Sequence, residues 1–284
     1  MSTPAPAQPT NELTLPTKPF DILVGKNVFA LILKLAPRKV ASRIHKSLDH
    51  YTKALLLIGV DDEMGAIRCI AAEEELVVAL FEWLKLNSTK VPKHEDFIRK
   101  FKNHYVKLAF YPVLSQFKFV LSDMLAQGLT IDGLEDVLRL NVRPECRDDK
   151  VQLVISDKDG KELLQLNPLS IAVNWNDRPE PEVVDELYKD FAQLVADQQN
   201  MTIKEFVTAR AEYRNKLLYA EDGGYVMMNE DLSALIDTGF SQSLRDLLWC
   251  LAVLLSNDPV RKEWGLVSQF VALYRRALTE AKLI

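Results

Sequence analysis

SRIHKSLDHYTKALLLIGVDDEMGAIRCIAAEEELVVALFEWLKL, residues 42–86, encodes two helices and the break between them. In its first part Ile44, Leu48, Tyr51, Leu55 and Ile58 recur at spacings of three and four. That is the period of a helix with one buried face, and it predicts a helix over 38–58. Gly59 and Asp61-Asp62 interrupt it. An acidic pair suits the start of the next helix, where the dipole is positive and backbone N–H groups lack partners. Residues 62–86 form that longer helix, and its apolar stripe Ile67, Ile70, Val77, Phe81, Leu84 runs through Glu74. Glu73 lies on the overlapping stripe Ala66, Ile70, Val77, Leu80. A carboxylate that points into a bundle needs a partner, because unpaired burial costs several kcal/mol or forces neutralisation.

Outward from this pair the pattern stays mainly helical. Residues 20–36 predict a short apolar helix or a strand followed by a helix. Asn87-Ser88-Thr89 ends the long helix, and Pro92 opens another that runs over 93–127 with a bend at Pro112. Gly128 is its C-cap, and a shorter helix over 130–140 follows. Near Arg143-Pro144 the character changes. Val151 to Ile155 alternates like a strand, Asp157-Lys-Asp-Gly160 is turn chemistry, Leu163 to Leu166 returns, and Leu169 to Trp175 is a third strand candidate. Helices over about 180–198, 201–221, 230–256 and 259–282 complete the chain. The expected fold is mainly α: a disordered arm (1–19), an N-terminal helical bundle (20–142), a small antiparallel β insert (143–178) and a C-terminal helical unit (179–284).

The 284 residues are 48% apolar and 26% charged, which excludes a disordered or fibrous body. The longest apolar run, Leu247 to Leu255, is about half the ~20 residues that span a bilayer, so no membrane helix is expected. The Pro-rich first residues lack the basic start and apolar stretch of a secretory signal. Three scattered cysteines, Cys69, Cys146 and Cys250, suit a reducing cytoplasmic compartment, with Cys69 and Cys250 as inert core thiols. Charge is uneven. Residues 1–127 hold 17 Lys/Arg against 13 Asp/Glu, and the remainder 18 against 27, as in two units that dock on each other or meet different partners. Lys34, Arg38, Lys39, Arg43 and Lys46 form one acid-free run. Lys90, Lys93, Arg99, Lys100, Lys102 and Lys107 form a second, against only Glu95 and Asp96. Such a stripe is either a solvated helix face or a seat for a phosphate backbone.

No Gly-rich phosphate loop and no GxSxG elbow is present. His45, His50, His94 and His104 lack zinc-ligand spacing, so neither a metal nor a cofactor is expected. His104 falls on the stripe Phe97, Phe101, Leu108, Tyr111, which predicts an inward-facing imidazole, with Lys100 and Lys107 on the neighbouring face. His104 and Lys107 are therefore the basic candidates for the inward carboxylate. A Glu–His–Lys cluster of this kind is either a structural salt bridge or a functional polar site. Arg99 precedes His104 by five positions, giving Arg-x4-His.

Tyr51-Thr-Lys-Ala54, Ala72-Glu-Glu-Glu-Leu-Val-Val-Ala79 and His104-Tyr-Val-Lys-Leu108 are similar to motifs of the HEPN superfamily, in its AbiV-type abortive-infection branch. The likeness covers residues 40–120. Val77 and Val78 stand where that family commonly has a lysine, and Lys100 where it has Asn after the motif Arg. The C-terminal unit resembles the same motif once more in Arg214-Asn215-Lys-Leu-Leu-Tyr219, with Tyr where the His belongs. An ordinary amphipathic helix is the competing reading there, and a phenol of pKa near 10 is a poor base. The resemblance implies a HEPN-like bundle and metal-independent RNA cleavage in phage defence, or translation arrest, by a homodimer that pairs two motifs. Carried over, Arg99 and His104 are the catalytic pair, Glu74 and Lys107 support them, and Lys100 and Lys102 bind RNA. His104 would take the 2′-hydroxyl proton, since an imidazole titrates near 6.5. Arg99 would stabilise the phosphorane-like charge. The alternative is a non-enzymatic module that binds a regulatory protein or phage trigger, with Glu74, His104 and Lys107 as internal braces. Exposure discriminates: an open Arg99/His104 pair favours the enzyme, and a sealed His104 the module.

Overall fold

The computed structural model describes residues 18–87, 102–126, 141–173, 178–219, 231–257 and 265–284. Of the expected arm over 1–19, residues 1–17 lie outside them, and Lys18 and Pro19 already belong to a helix; the Gly128 cap and the 130–140 helix lie outside as well. Two short helices, α1 (Lys18–Val24) and α2 (Lys26–Leu35), hinge at Gly25, whose φ of 85° is open only to glycine at low cost. The first alternative for 20–36 is thus the one adopted, as two helices. The decisive pair follows: α3 (Arg38–Leu57) and α4 (Asp62–Leu86). Asp61 caps α4, its side chain accepting from the Met64 N–H at 3.0 Å. α4 is the central helix, with buried residues on every side, from Ala66 through Leu84. The Ser47 hydroxyl ties α3 to the Ala72 carbonyl at 2.7 Å.

α5 (His104–Ala126) carries Pro112 in its interior. The insert is a three-stranded antiparallel sheet in the order β1-β2-β3, with β1 (Asn141–Arg147), β2 (Lys150–Ser156) and β3 (Glu162–Leu166). Two of the three predicted strands form, and the third is displaced. Of the expected strand over 169–175, the described residues 169–173 make none, because Asn167 caps a single 3-10 turn at Pro168–Ser170. The missing partner precedes β2 instead. Pro144 argues against a strand at 141–147, but β1 is an edge, where a residue without an N–H is tolerated. Asp148 and Asp149 turn the β1–β2 hairpin with φ of 50° and 59°, a left-handed pair that aspartate tolerates. The Asp157 carboxylate accepts from the Asp159 and Lys161 N–H groups and closes β2 onto β3, as the turn chemistry predicts.

α6 (Glu180–Gln199) ends on Asn200 in the left-handed conformation. α7 (Ile203–Leu218) opens with a reciprocal capping box between Thr202 and Glu205. A short turn at Leu232–Ala234 and a π-helix at Leu235–Phe240 lead into α8 (Ser241–Ser256), and α9 (Gly265–Glu280) follows. Gly65 lets α4 lie against this π-helix: a Cβ there would sit 2.9 Å from Ile236 Cδ1.

Among the described residues a single buried core runs through both helical segments. Phe20, Phe29, Ile44, Ile70 and Phe81 from the first share it with Phe191, Phe240, Leu248 and Tyr274 from the second. The sheet is pinned to this core by side chains that replace backbone partners. Asn257 Nδ2 donates to the Val151 carbonyl at 2.8 Å, and the Val151 N–H donates to Ser256 Oγ at 3.0 Å. Gln269 pairs both ways with the Val173 backbone. Cys69 is fully buried and burial pushes its thiol up to about 12, in keeping with an inert core residue. Among the described residues no helix is long and apolar enough to cross a membrane.

Candidate functional site

Three consecutive glutamates on α4 build the polar centre. Successive residues of a helix step by about 100°, so Glu73, Glu74 and Glu75 face different neighbours. Glu75 turns to α3, where Arg43 Nη1 lies 3.0 Å away. Glu73, with only 1% of its side chain exposed, turns to α7 and meets Arg210 Nη2 at 3.1 Å. Glu74 turns to α5. Its Oε1 lies 2.9 Å from His104 Nδ1 and its Oε2 2.5 Å from Lys107 Nζ. Both expected partners of the inward carboxylate are thus in contact with it. His104 and Lys107 stand three apart on α5 and share a face, which lets one carboxylate engage both.

Arg214, from the second motif, completes the cluster. Its Nε lies 3.9 Å from Glu74 Oε1. Arg210 and Arg214 are four apart on α7, so they come to α4 as a pair. The Arg210 guanidinium also lies over the Phe240 ring, 4.4 Å from its centroid. Asn215 is exposed one position round the helix. Tyr219 is 66% exposed at the C-cap of α7, where its backbone N–H donates to the Asn215 carbonyl. Of the Arg214-Asn215-Tyr219 set, only Arg214 contacts the cluster among the described residues.

His104 departs from its expected place. The stripe predicts an inward imidazole, but the residue opens α5 and its side chain is 54% exposed. A residue in the first turn of a helix has no preceding turn to cover it. Nδ1 is held by Glu74, and Nε2 has no partner among the described residues. Lys107, one turn further in, is 13% exposed and Glu74 11%. Lys102 is exposed in the turn just before α5. Arg99 and Lys100 lie outside the described residues, as do Phe97 and Phe101.

Lys107, Arg210 and Arg214 outnumber Glu73 and Glu74 by one charge, without counting the imidazole. The cluster can therefore accept an anion beside a half-exposed imidazole. Among the described residues no group of three or more His, Cys, Asp or Glu side chains is placed to hold a metal. Sequence reasoning missed Arg210, and named Arg43 only as part of a basic run. The spacing of Arg210 and Arg214 was the available signal for the first, but nothing local says which helix they meet. The basic run at 34–46 is also less free than it looks in sequence: Lys34 pairs with Asp149, Arg43 with Glu75, and Lys46 with Asp49. No protein-family model, curated protein or solved structure matches this chain.

Proposed function

We propose that the chain is a metal-independent endoribonuclease of the HEPN type, acting in defence against phage as a homodimer, with His104 as its general base. The observation that carries this reading is the Glu74–His104 contact at 2.9 Å on an imidazole that is half open to solvent. A carboxylate on Nδ1 fixes the tautomer and leaves Nε2 to accept a proton. His104 takes the 2′-hydroxyl proton, and the freed oxygen attacks the adjacent phosphorus. The bond to the 5′-oxygen breaks, and that oxygen leaves with a proton from water or from a second acid. The products are a 2′,3′-cyclic phosphate and a 5′-hydroxyl. The need for a 2′-hydroxyl selects RNA over DNA. Arg214, 3.9 Å from the carboxylate that holds the imidazole, and Lys102, exposed two residues before His104, supply positive charge for the phosphate. Arg214 comes from the C-terminal unit, so one residue of the second motif meets the first within the chain.

The enclosure of Glu73 with Arg210 favours a second reading, in which the cluster only braces the helices and the bundle binds a regulatory protein. One experiment separates the two. Purified protein is incubated with a fluorophore-labelled RNA in EDTA, as wild type and as His104→Ala. The enzyme reading expects cyclic-phosphate products from wild type, none from a 2′-deoxy substrate, and loss of cleavage in a variant that unfolds at the wild-type temperature. Equal cleavage by the variant, or none by either protein, overturns it. Growth arrest and RNA breakdown on induction in cells, absent in His104→Ala, would tie the activity to defence.

A further inference from the structure

A second site lies on the far part of α4 and α5, away from the glutamates. Between α5, β2, the 3-10 turn, α8 and α9 the packing leaves a cavity of about 540 Å³. Protein interiors are close-packed, and voids much larger than a water are rare. This volume falls in the range of small-molecule sites. Leu114, Phe117, Leu153, Trp249, Val253 and Val267 form walls without hydrogen-bonding groups apart from the indole N–H. Such walls do not suit a nucleotide or a sugar, which would bury many unpaired polar atoms.

The charged groups of the lining are Lys118, Arg245 and Asp246. Lys118 and Arg245 are exposed, so they mark the mouth. The Asp246 carboxylate is already occupied: it takes Lys118 Nζ at 2.7 Å, Gln242 Nε2 at 2.9 Å and the Tyr111 hydroxyl at 3.3 Å. Arg245 contacts the uncharged amide of Gln242 and has no carboxylate partner among the described residues. Among the described residues the mouth therefore carries one uncompensated positive charge over an apolar interior.

We propose that this cavity binds a single-chain amphiphile with an anionic head, of the fatty-acid type. Its chain lies against Leu114, Leu153 and Val267, and its carboxylate at the mouth meets Arg245 and Lys118. The charge complements the head, and the apolar walls match an alkyl chain. This inference is independent of the ribonuclease reading, since it shares no residue with the Glu74 cluster.

The probe is cis-parinaric acid, titrated into the full-length chain and displaced by palmitate or by uncharged hexadecanol. Saturable fluorescence at one probe per chain is expected, with palmitate displacing it at about tenfold lower concentration than hexadecanol. Arg245→Glu, a surface change, should erase that preference. Val267→Trp or Leu153→Trp should weaken the probe by about tenfold or more by filling the chain site, judged on whichever keeps the wild-type unfolding midpoint. Absence of saturable binding overturns the proposal. So does equal displacement by acid and alcohol, a preference unchanged in Arg245→Glu, or probe affinity that a folded filling variant leaves intact.

Discussion

Glu73 and Arg210 meet at 3.1 Å although 137 residues separate them. Their contact joins the centre of α4 to α7 inside the core. The pairing is incomplete: Glu73 Oε1 and Arg210 Nε have no hydrogen-bond partner among the described residues. A buried ion pair of this kind is costly to break and cheap to replace. Glu73→Ala strands the arginine charge and should lower unfolding free energy by about 3–5 kcal/mol. Replacing both residues, Glu73→Leu with Arg210→Met, should come within about 1 kcal/mol of wild type or exceed it. Urea unfolding of the single and double variants reads this directly, and a loss under about 1 kcal/mol in Glu73→Ala would falsify the burial argument.

Glu74 serves two groups, so its removal should act on two observables. Glu74→Gln keeps an acceptor but loses the charge that holds Lys107 and orients His104. On the proposed ribonuclease reading, RNA cleavage should fall by roughly 10–100-fold, because a misoriented base loses part of the general-base contribution. Lys107→Met, which leaves the His104 contact in place, should reduce stability more than it reduces turnover. Equal turnover in Glu74→Gln and wild type would remove Glu74 from the orienting role.

His50 links α3 to α4 through Arg68, whose Nη1 donates to His50 Nδ1 at 3.2 Å. Burial, with the positive charges of Lys46 and Arg68, holds this imidazole below its ordinary range. The unfolded chain then keeps a proton on His50 at pH values where the folded chain has released it. Stability rises with pH across that window. The contribution of neutral His50 is complete above about pH 6.5 and is lost as pH falls through the lower folded value. His50→Gln should flatten this part of the stability profile. Urea midpoints measured from about pH 5 to 8 test it, and an unchanged slope counts against it.

Gly265 starts α9 where the chain after the sheet comes closest. A Cβ there would lie 2.5 Å from the Ile171 carbonyl oxygen and 2.8 Å from Ala172 Cβ. The neighbouring Leu266 N–H donates to the same carbonyl at 2.8 Å. Backbone must move to admit a methyl group, so Gly265→Ala should cost about 1–3 kcal/mol. A thermal midpoint equal to wild type would show that the approach is looser than the geometry states.

The helices were legible because each is written in a local repeat. Ile44, Leu48 and Tyr51 fix the buried face of α3, Gly59 with a φ of 74° follows its end, and Asp61 caps the next helix. The aim of Glu74 followed from the same period. The sheet was legible only where alternation and turn chemistry coincide, at β2 and β3. β1 was hidden, because Pro144 and the Arg143–Glu145–Arg147 alternation lack the apolar face of a buried strand, and an edge strand needs neither.

By itself the sequence determined the mainly helical class, the limits of α3, α4 and α6, and the pairing of Glu74 with His104 and Lys107; the helix expected over 93–127 begins only at His104. A repeat of 3.6 residues is a property of neighbours in the chain, and it fixes a face without naming what the face will meet. The tertiary structure alone decided that α7 brings Arg210 and Arg214 to Glu73 and Glu74, and Arg43 to Glu75 from α3. It alone decided that His104 is half open at a helix start, and that a cavity remains beside the sheet. These depend on which apolar faces bury against each other across long separations in sequence, and on how well their shapes fill the space between them.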